Sequence, residues 1–429
     1  MPPDRAIAPA GTGDGRGGER FIPFCRTDLV DEIEADGRLT GGDGDRFRAF
    51  VELLNAIFHH DFHQRLEALK LAYAPFNPDP DTRAIRTFGD DERERARRQL
   101  FDGLRELLER GNFVPVSPHD LHVAFSEESL LELRLEVDHT AFEEVLFFRR
   151  GETLREEELT SWFGLRHRTI TFTNYEKVLA LVTFRAADDA EDAAGELPFE
   201  PGSTILKLFQ DVPRADLEML YPNAEPRMRP IDKVLIGVPA LVSAIIVLVT
   251  KALTTIGLLL LMVGFWLGLA DDPVELDQAT LVTLGAGLGS LGGYLVRQVT
   301  KFKNRKVAFL KALADNLYFR NLDNDAGVFH HLVDDAEEEE VKEALLAWYF
   351  LRVDGPMTPQ QLDRTTEAWF AQHLDAVVDF DVDDGLAKLR ELDLVLDTAD
   401  GRLEAVALDE ALVRLDARWD DYFVYRRTG

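Results

Sequence analysis

From Val234 to Ala270 the chain is almost continuously apolar, broken only by Pro239, a few Ser and Thr, and Lys251. A second apolar run, Ala279 to Val296, follows after the acidic connection DDPVELDQ. Nothing else restricts the fold as strongly, because a run of this length belongs either inside protein or in lipid. As one helix the first run would extend about 55 Å at 1.5 Å per residue, against a bilayer core of roughly 30 Å. Arg227, Arg229 and Lys233 precede it, while Arg297, Lys301, Lys303, Arg305 and Lys306 follow the second run. With acids alone between the runs, the distribution of positive charge places both flanks in the cytoplasm and favours an even number of spans. The expected arrangement over 231–300 is a two-span transmembrane hairpin, about 253–270 and 279–299, with 234–250 as a lead-in helix; three spans stay open. Gly264 with Gly268, and Gly285, Gly289 and Gly293, are spaced for close helix approach, within the hairpin or between two copies of the chain. Neither span contains an acid or histidine, which disfavours an ion pump.

The chain has 429 residues, 46% of them hydrophobic, enough for two or three packed domains. Asp and Glu outnumber Lys and Arg by 78 to 48, a surface that repels nucleic acid. Cys25 stands alone, so no internal disulfide forms and a reducing compartment is expected. Residues 1–18 read as a disordered tail without a secretory apolar stretch. The expected location is an integral membrane protein of the cell membrane with both termini in the cytoplasm.

Residues 19–230 read as a cytoplasmic α+β domain. RTDLVDEIEADG and the segment from Asp45 to Tyr73 carry apolar residues at helical spacing. EEVLFFRRG, HRTITFTN, KVLALVTFRA and STILKLF are β-rich, with Asn174–Lys177 expected as a hairpin turn and DDAEDAAGELPFEPG as an exposed loop. Helices over an antiparallel sheet follow. His59 and His63 share a helix face, which is half of a metal site. The zinc-protease motif is absent because position 60 is His, and neither a GxxxxGK loop nor a GxSxG elbow occurs.

In NLDNDAGVFHHLVDD, Asn321 to Asp335, the acids fail the register of a calcium loop, since Gly327 is fifth and Asp334 twelfth from Asp323. Asp323 or Asn324 capping a helix fits better, and His330 with Asp334 and His331 with Asp335 then stand one turn apart. The weaker metal reading takes His330, His331, Asp334, Asp335, Asp323, Asp325, His59 and His63 as candidate ligands. Beyond it, residues 301–429 read as an acidic winged-helix-like domain: helix, Thr-capped helix, short helix, then two strands about Asp400–Gly401. From Val307 onward 28 acids face 12 Lys and Arg, so protein binding is expected rather than DNA reading.

RFIPFCRTDLVDEI, FHQRLEALKLAYAPFNPD, LKLFQDVPRADLEMLYPNAEPRM and LYFRNLDNDAGVFHHLVDDAEEEEVKEALLAWYFL together resemble the transmembrane protein 143 family, from about Arg20 onward. The resemblance implies a membrane protein with a shared core around NLDNDAG and no established activity; Asp325 stands where that family is expected to have asparagine. The functional expectation is a membrane-anchored scaffold binding proteins through its C-terminal domain, without cofactor. A metal-dependent enzyme and a homo-oligomeric pore are the alternatives.

Overall fold

The computed structural model describes residues 7–9, 20–39, 43–82, 85, 87–117, 120–121, 134–161, 166–185, 201–227, 253–268 and 317–423, with single positions between 278 and 315. The chain divides into two compact units, the first made of 1–126, 139–217 and 320–429, the second of 127–138 and 218–319.

In the first unit the helices are α1 (Arg26–Ala35), α2 (Asp43–Tyr73) and α3 (Asp90–Arg110). The strands before residue 320 are β1 (Ile7–Pro9), β2 (Val114–Pro115), β4 (Phe142–Ser161), β5 (Arg166–Phe184) and β6 (Thr204–Pro213); β3 (Arg134–Glu136) and β7 (Glu225–Arg227) belong to the second unit. β6 is followed on its other side by β8 (Asn321–Asn324), giving the antiparallel order β1-β4-β5-β6-β8 with β2 also on β4. The α+β expectation of helices with an antiparallel sheet holds here. Within the expected tail, Ile7–Pro9 forms a strand on β4.

One turn is corrected. Asn174–Lys177 lies inside β5, paired to Glu152 and Thr153 on one side and to Val212 and Pro213 on the other. Asn174 is buried, its amide donating to the Tyr175 carbonyl, so a polar tetrapeptide that looks like a turn is covered on both edges. The β4–β5 register runs unbroken through this stretch, and opposite Glu176 Gly151 adopts φ +70. A Cβ there would lie 2.7 Å from the Glu176 side chain. The loop expected over 188–202 falls largely outside the described residues.

The spine of this unit is α5 (Ala326–Val353), whose residues 341–351 are buried on every side. Such an all-round buried helix must be enclosed by others. α2 lies along it through Phe50 against Trp348, ring centroids 4.4 Å apart, and Tyr73 against Phe329. The C-terminal elements are α6 (Pro359–His373), α7 (Val382–Glu391), β9 (Val395–Asp397), β10 (Leu403–Ala405) and α8 (Leu408–Asp421). Thr358 and Gln361 form a capping box on α6 and Asp381 caps α7. β9 and β10 pair around Gly401 at φ +79, and Met357 bridges to Leu403. The element order expected of the C-terminal module is present, but its core residues Leu362, Phe370, Leu389 and Leu415 merge with those of α2 and α5 in one cluster.

In the second unit β3 and β7 pair antiparallel, Arg134 opposite Arg227, and α4 (Leu253–Trp266) is apolar apart from Thr254 and Thr255. Here the membrane expectation is corrected. Among the described residues no helix is long and apolar enough to cross a membrane. α4 has 14 residues, about 21 Å at 1.5 Å each, and it ends where Gly268 takes φ +72. The two-span hairpin, the bilayer as a partner and the integral-membrane location with cytoplasmic termini therefore lose their support. A Cβ at Gly264, Gly285, Gly289 or Gly293 meets no described atom within 4 Å, so these glycines hold no close helix contact among the described residues. The lead-in helix 234–250 and the basic residues Lys301, Lys303, Arg305 and Lys306 lie outside the described residues; Arg297 is exposed.

Candidate functional site

The NLDNDAG segment turns a corner. Asn321–Asn324 is an edge strand rather than the first turn of a helix, and Asp325 at φ +51 is the residue from which α5 departs, displacing the cap expected at Asp323 or Asn324. Asp and Asn tolerate this left-handed backbone better than most residues. The Asp325 carboxylate accepts from the Tyr73 hydroxyl at 2.7 Å and from the Leu206 amide at 3.3 Å. Burial, reinforced by Asp325, pushes the Tyr73 phenol far above its ordinary pKa. A Cβ at Gly327 would lie 2.2 Å from the Asp323 carboxylate, which in turn faces His331 at 3.4 Å.

The candidate metal ligands divide between two edges and the interior. His59 meets Glu337 at 3.0 Å and stacks near His63, with ring centroids 6.5 Å apart. Both histidines are exposed on α2, and His330 and Asp334 are exposed on α5. Asp335 points inward instead and is bound by Lys177 at 2.6 Å and Arg150 at 2.9 Å. Among the described residues no three His, Cys, Asp or Glu side chains converge on a common point.

What sequence reasoning missed lies one turn further along α5. In the run DDAEEEEVKE, Asp335, Glu339, Glu340, Lys342 and Glu343 are all buried. Each finds a charged partner on another element or its own. Arg150 of β4 holds Asp335 and Glu339, Lys342 holds Glu339 at 2.6 Å, and Arg110 of α3 holds Glu340 at 2.6 Å. Lys388 of α7 reaches Glu343 at 2.6 Å and Asp384 at 2.5 Å, while the Asn112 amide donates to Glu343. The sole sequence signal was the continuation of apolar residues on all faces from Val341, which no amphipathic helix shows.

Burial drives the electrostatics here. It pushes Glu343 up to about 8, with Lys388 pulling the other way. Burial also works against the charge on Lys388, but Glu343, Glu340 and Asp384 outweigh it and hold the ammonium above its ordinary pKa. Asp384 feels burial too, and Lys388 nevertheless keeps it below the usual carboxylate range.

In front of this ladder, between the end of α3, β2 and α7, opens a cleft of about 750 Å³. Its walls carry Glu106, Glu109, Asp381, Asp383, Asp384 and Glu391, with Arg20, Arg110 and Lys388 as cations. Arg110 is committed to Glu340 and Glu106, and Lys388 is 5% exposed and committed to Glu343 and Asp384. A buried acid and base locked to each other do not reach a substrate; of the wall carboxylates Glu106, Asp384 and Glu391 are paired with Arg65 and Arg110, Lys388, and Arg418, and the acids that remain suit a cation.

No solved structure matches the chain. Residues 175–327, from the middle of β5 through the second unit to the Asp325 corner, match the family described as protein of unknown function (DUF3754), so a DUF3754 domain spans that part of the chain.

Proposed function

We propose that this protein is a docking adaptor and that the cleft between α3, β2 and α7 receives a basic segment of a partner protein. One observation carries the reading: Lys388, 5% exposed on α7, is held by Glu343 and Asp384, so it does not neutralise the acidic wall of the cleft. A formal charge of −30 on the whole chain favours encounter with a basic partner and disfavours nucleic acid. The resemblance of four segments to the transmembrane protein 143 family belongs to this proposal as well; it supplies no catalytic residues and leaves function to the charge distribution.

The test is titration calorimetry of the full chain with an Arg/Lys-rich peptide at two salt concentrations. Asp383→Lys combined with Glu391→Lys alters exposed residues only. Binding should weaken at least about tenfold in this double variant and also with rising salt. Equal affinity in wild type and variant would remove the cleft from the binding site.

A further inference from the structure

The segment Phe21–Phe24 has no helix or strand, and Phe21 and Ile22 are buried. The Ile22 amide donates to the buried Glu339 carboxylate at 2.9 Å. The Lys342 ammonium donates to the carbonyls of Ile22, at 2.7 Å, and Phe24, at 3.2 Å. Thus an ion pair that is itself buried, Glu339 with Lys342, reads the backbone of an extended segment rather than a helix or sheet. Its side chains are read as well. The Arg150 guanidinium lies 4.8 Å over the Phe21 ring, Ile22 is buried, and Phe24 stacks on Phe370 with centroids 5.9 Å apart. Immediately before this segment, exposed Arg20 lines the acidic cleft and makes no ion pair among the described residues.

We infer that Arg20–Phe24 is seated as an intramolecular ligand and that the partner the cleft accepts is an extended segment of the same chemistry, a basic residue followed by aromatic, aliphatic, proline and aromatic residues. The inference rests on the docking reading above and adds its regulation: the chain's own strap competes with the partner for cleft and groove. Backbone recognition gives the groove affinity for any extended segment, and the ring contacts and cleft carboxylates give it a preference. While the strap is seated, the apparent affinity for a segment in trans is reduced by the fraction of molecules in which the strap has left.

Cys25 follows the strap directly and is the chain's single cysteine, so a spin label there reports strap release in the full-length protein. The probe is a synthetic peptide of residues 18–28 carrying Cys25→Ser, titrated into labelled wild type and labelled Arg20→Glu, with oligo-arginine in parallel. Arg20→Glu repels the strap from the cleft at an exposed position, so the probe should bind at least about threefold more tightly than to wild type, and the label should become mobile as it binds. Probe binding without label mobilisation, or equal affinity in the two proteins, overturns the competing strap while leaving the docking cleft in place. Absence of binding by both the probe and oligo-arginine removes strap and cleft together.

Discussion

Burial opposes the ionisation of both Glu340 and Glu343 on α5. The Glu343 pKa in the folded chain is about 8, raised by burial from an ordinary 4.5, so ionising it opposes folding. A raised folded pKa gives stability that is complete below about 4.5 and is lost as pH rises through about 8. Glu343→Gln keeps the neutral form at every pH. Urea unfolding from pH 5 to 9 should therefore show wild type losing up to about 1.4 kcal/mol per pH unit relative to this variant. Parallel curves for the two proteins would mean that Glu343 is ionised throughout. At the corner, Asp325→Asn retains an acceptor for Tyr73 and a residue that tolerates φ +51, so thermal unfolding should shift by less than about 1 kcal/mol equivalent. Asp325→Ala loses both and should cost about 1–3 kcal/mol. Asp325 was legible in the sequence as a polar residue at a helix start. That its carboxylate meets Tyr73, 252 positions away, was not.

Among the elements, α5 decides most of the fold. α7 crosses it at Gly385, where a Cβ would sit 3.1 Å from the Glu343 carbonyl oxygen. Gly385→Ala forces helix against helix and should destabilise by about 1–3 kcal/mol in chemical denaturation, since neither backbone can yield cheaply. Lys342→Met tests the ladder itself. It removes the donor to Ile22 and Phe24 and one partner of Glu339, a group with no solvent exposure, and should cost about 3–5 kcal/mol. A loss below 1 kcal/mol would show that Arg150 alone satisfies Glu339. The cap at Thr358 and the Asp400–Gly401 turn could be read directly, because each is complete within four residues, whereas the cap at Asp381 emerged only in the structure. β5 could not, because Asn174-Tyr175-Glu176-Lys177 is turn-like alone and becomes strand only between β4 and β6.

At the scale of the molecule, the C-terminal elements are part of the first unit and share its core. Removing everything from Thr358 onward would uncover Phe350, Leu346 and the Glu340–Glu343 turn of α5, leaving buried charge without Lys388. Such a truncation should not leave a folded remainder. Circular dichroism and limited proteolysis of the truncated chain should show loss of α2 and α3 protection as well. Native-like melting of the remainder would instead make the C-terminal elements an independent domain. For this reason partner binding is better tested with the exposed Asp383 and Glu391 than by deletion.

The sequence by itself determined helix and strand character wherever a cap, a turn glycine or a 3.6-residue apolar period sits within one short window. It also determined the sign of the net charge. Only the tertiary structure decided that Asp335, Glu339, Glu340, Lys342 and Glu343 are interior, that α4 ends at Trp266, and that the backbone of Ile22 is held by Glu339 and Lys342, more than three hundred positions away. The physical reason is range. Capping and periodicity act between neighbours along the chain, whereas an acidic residue is buried or solvated according to whether distant segments bring it an arginine or a lysine.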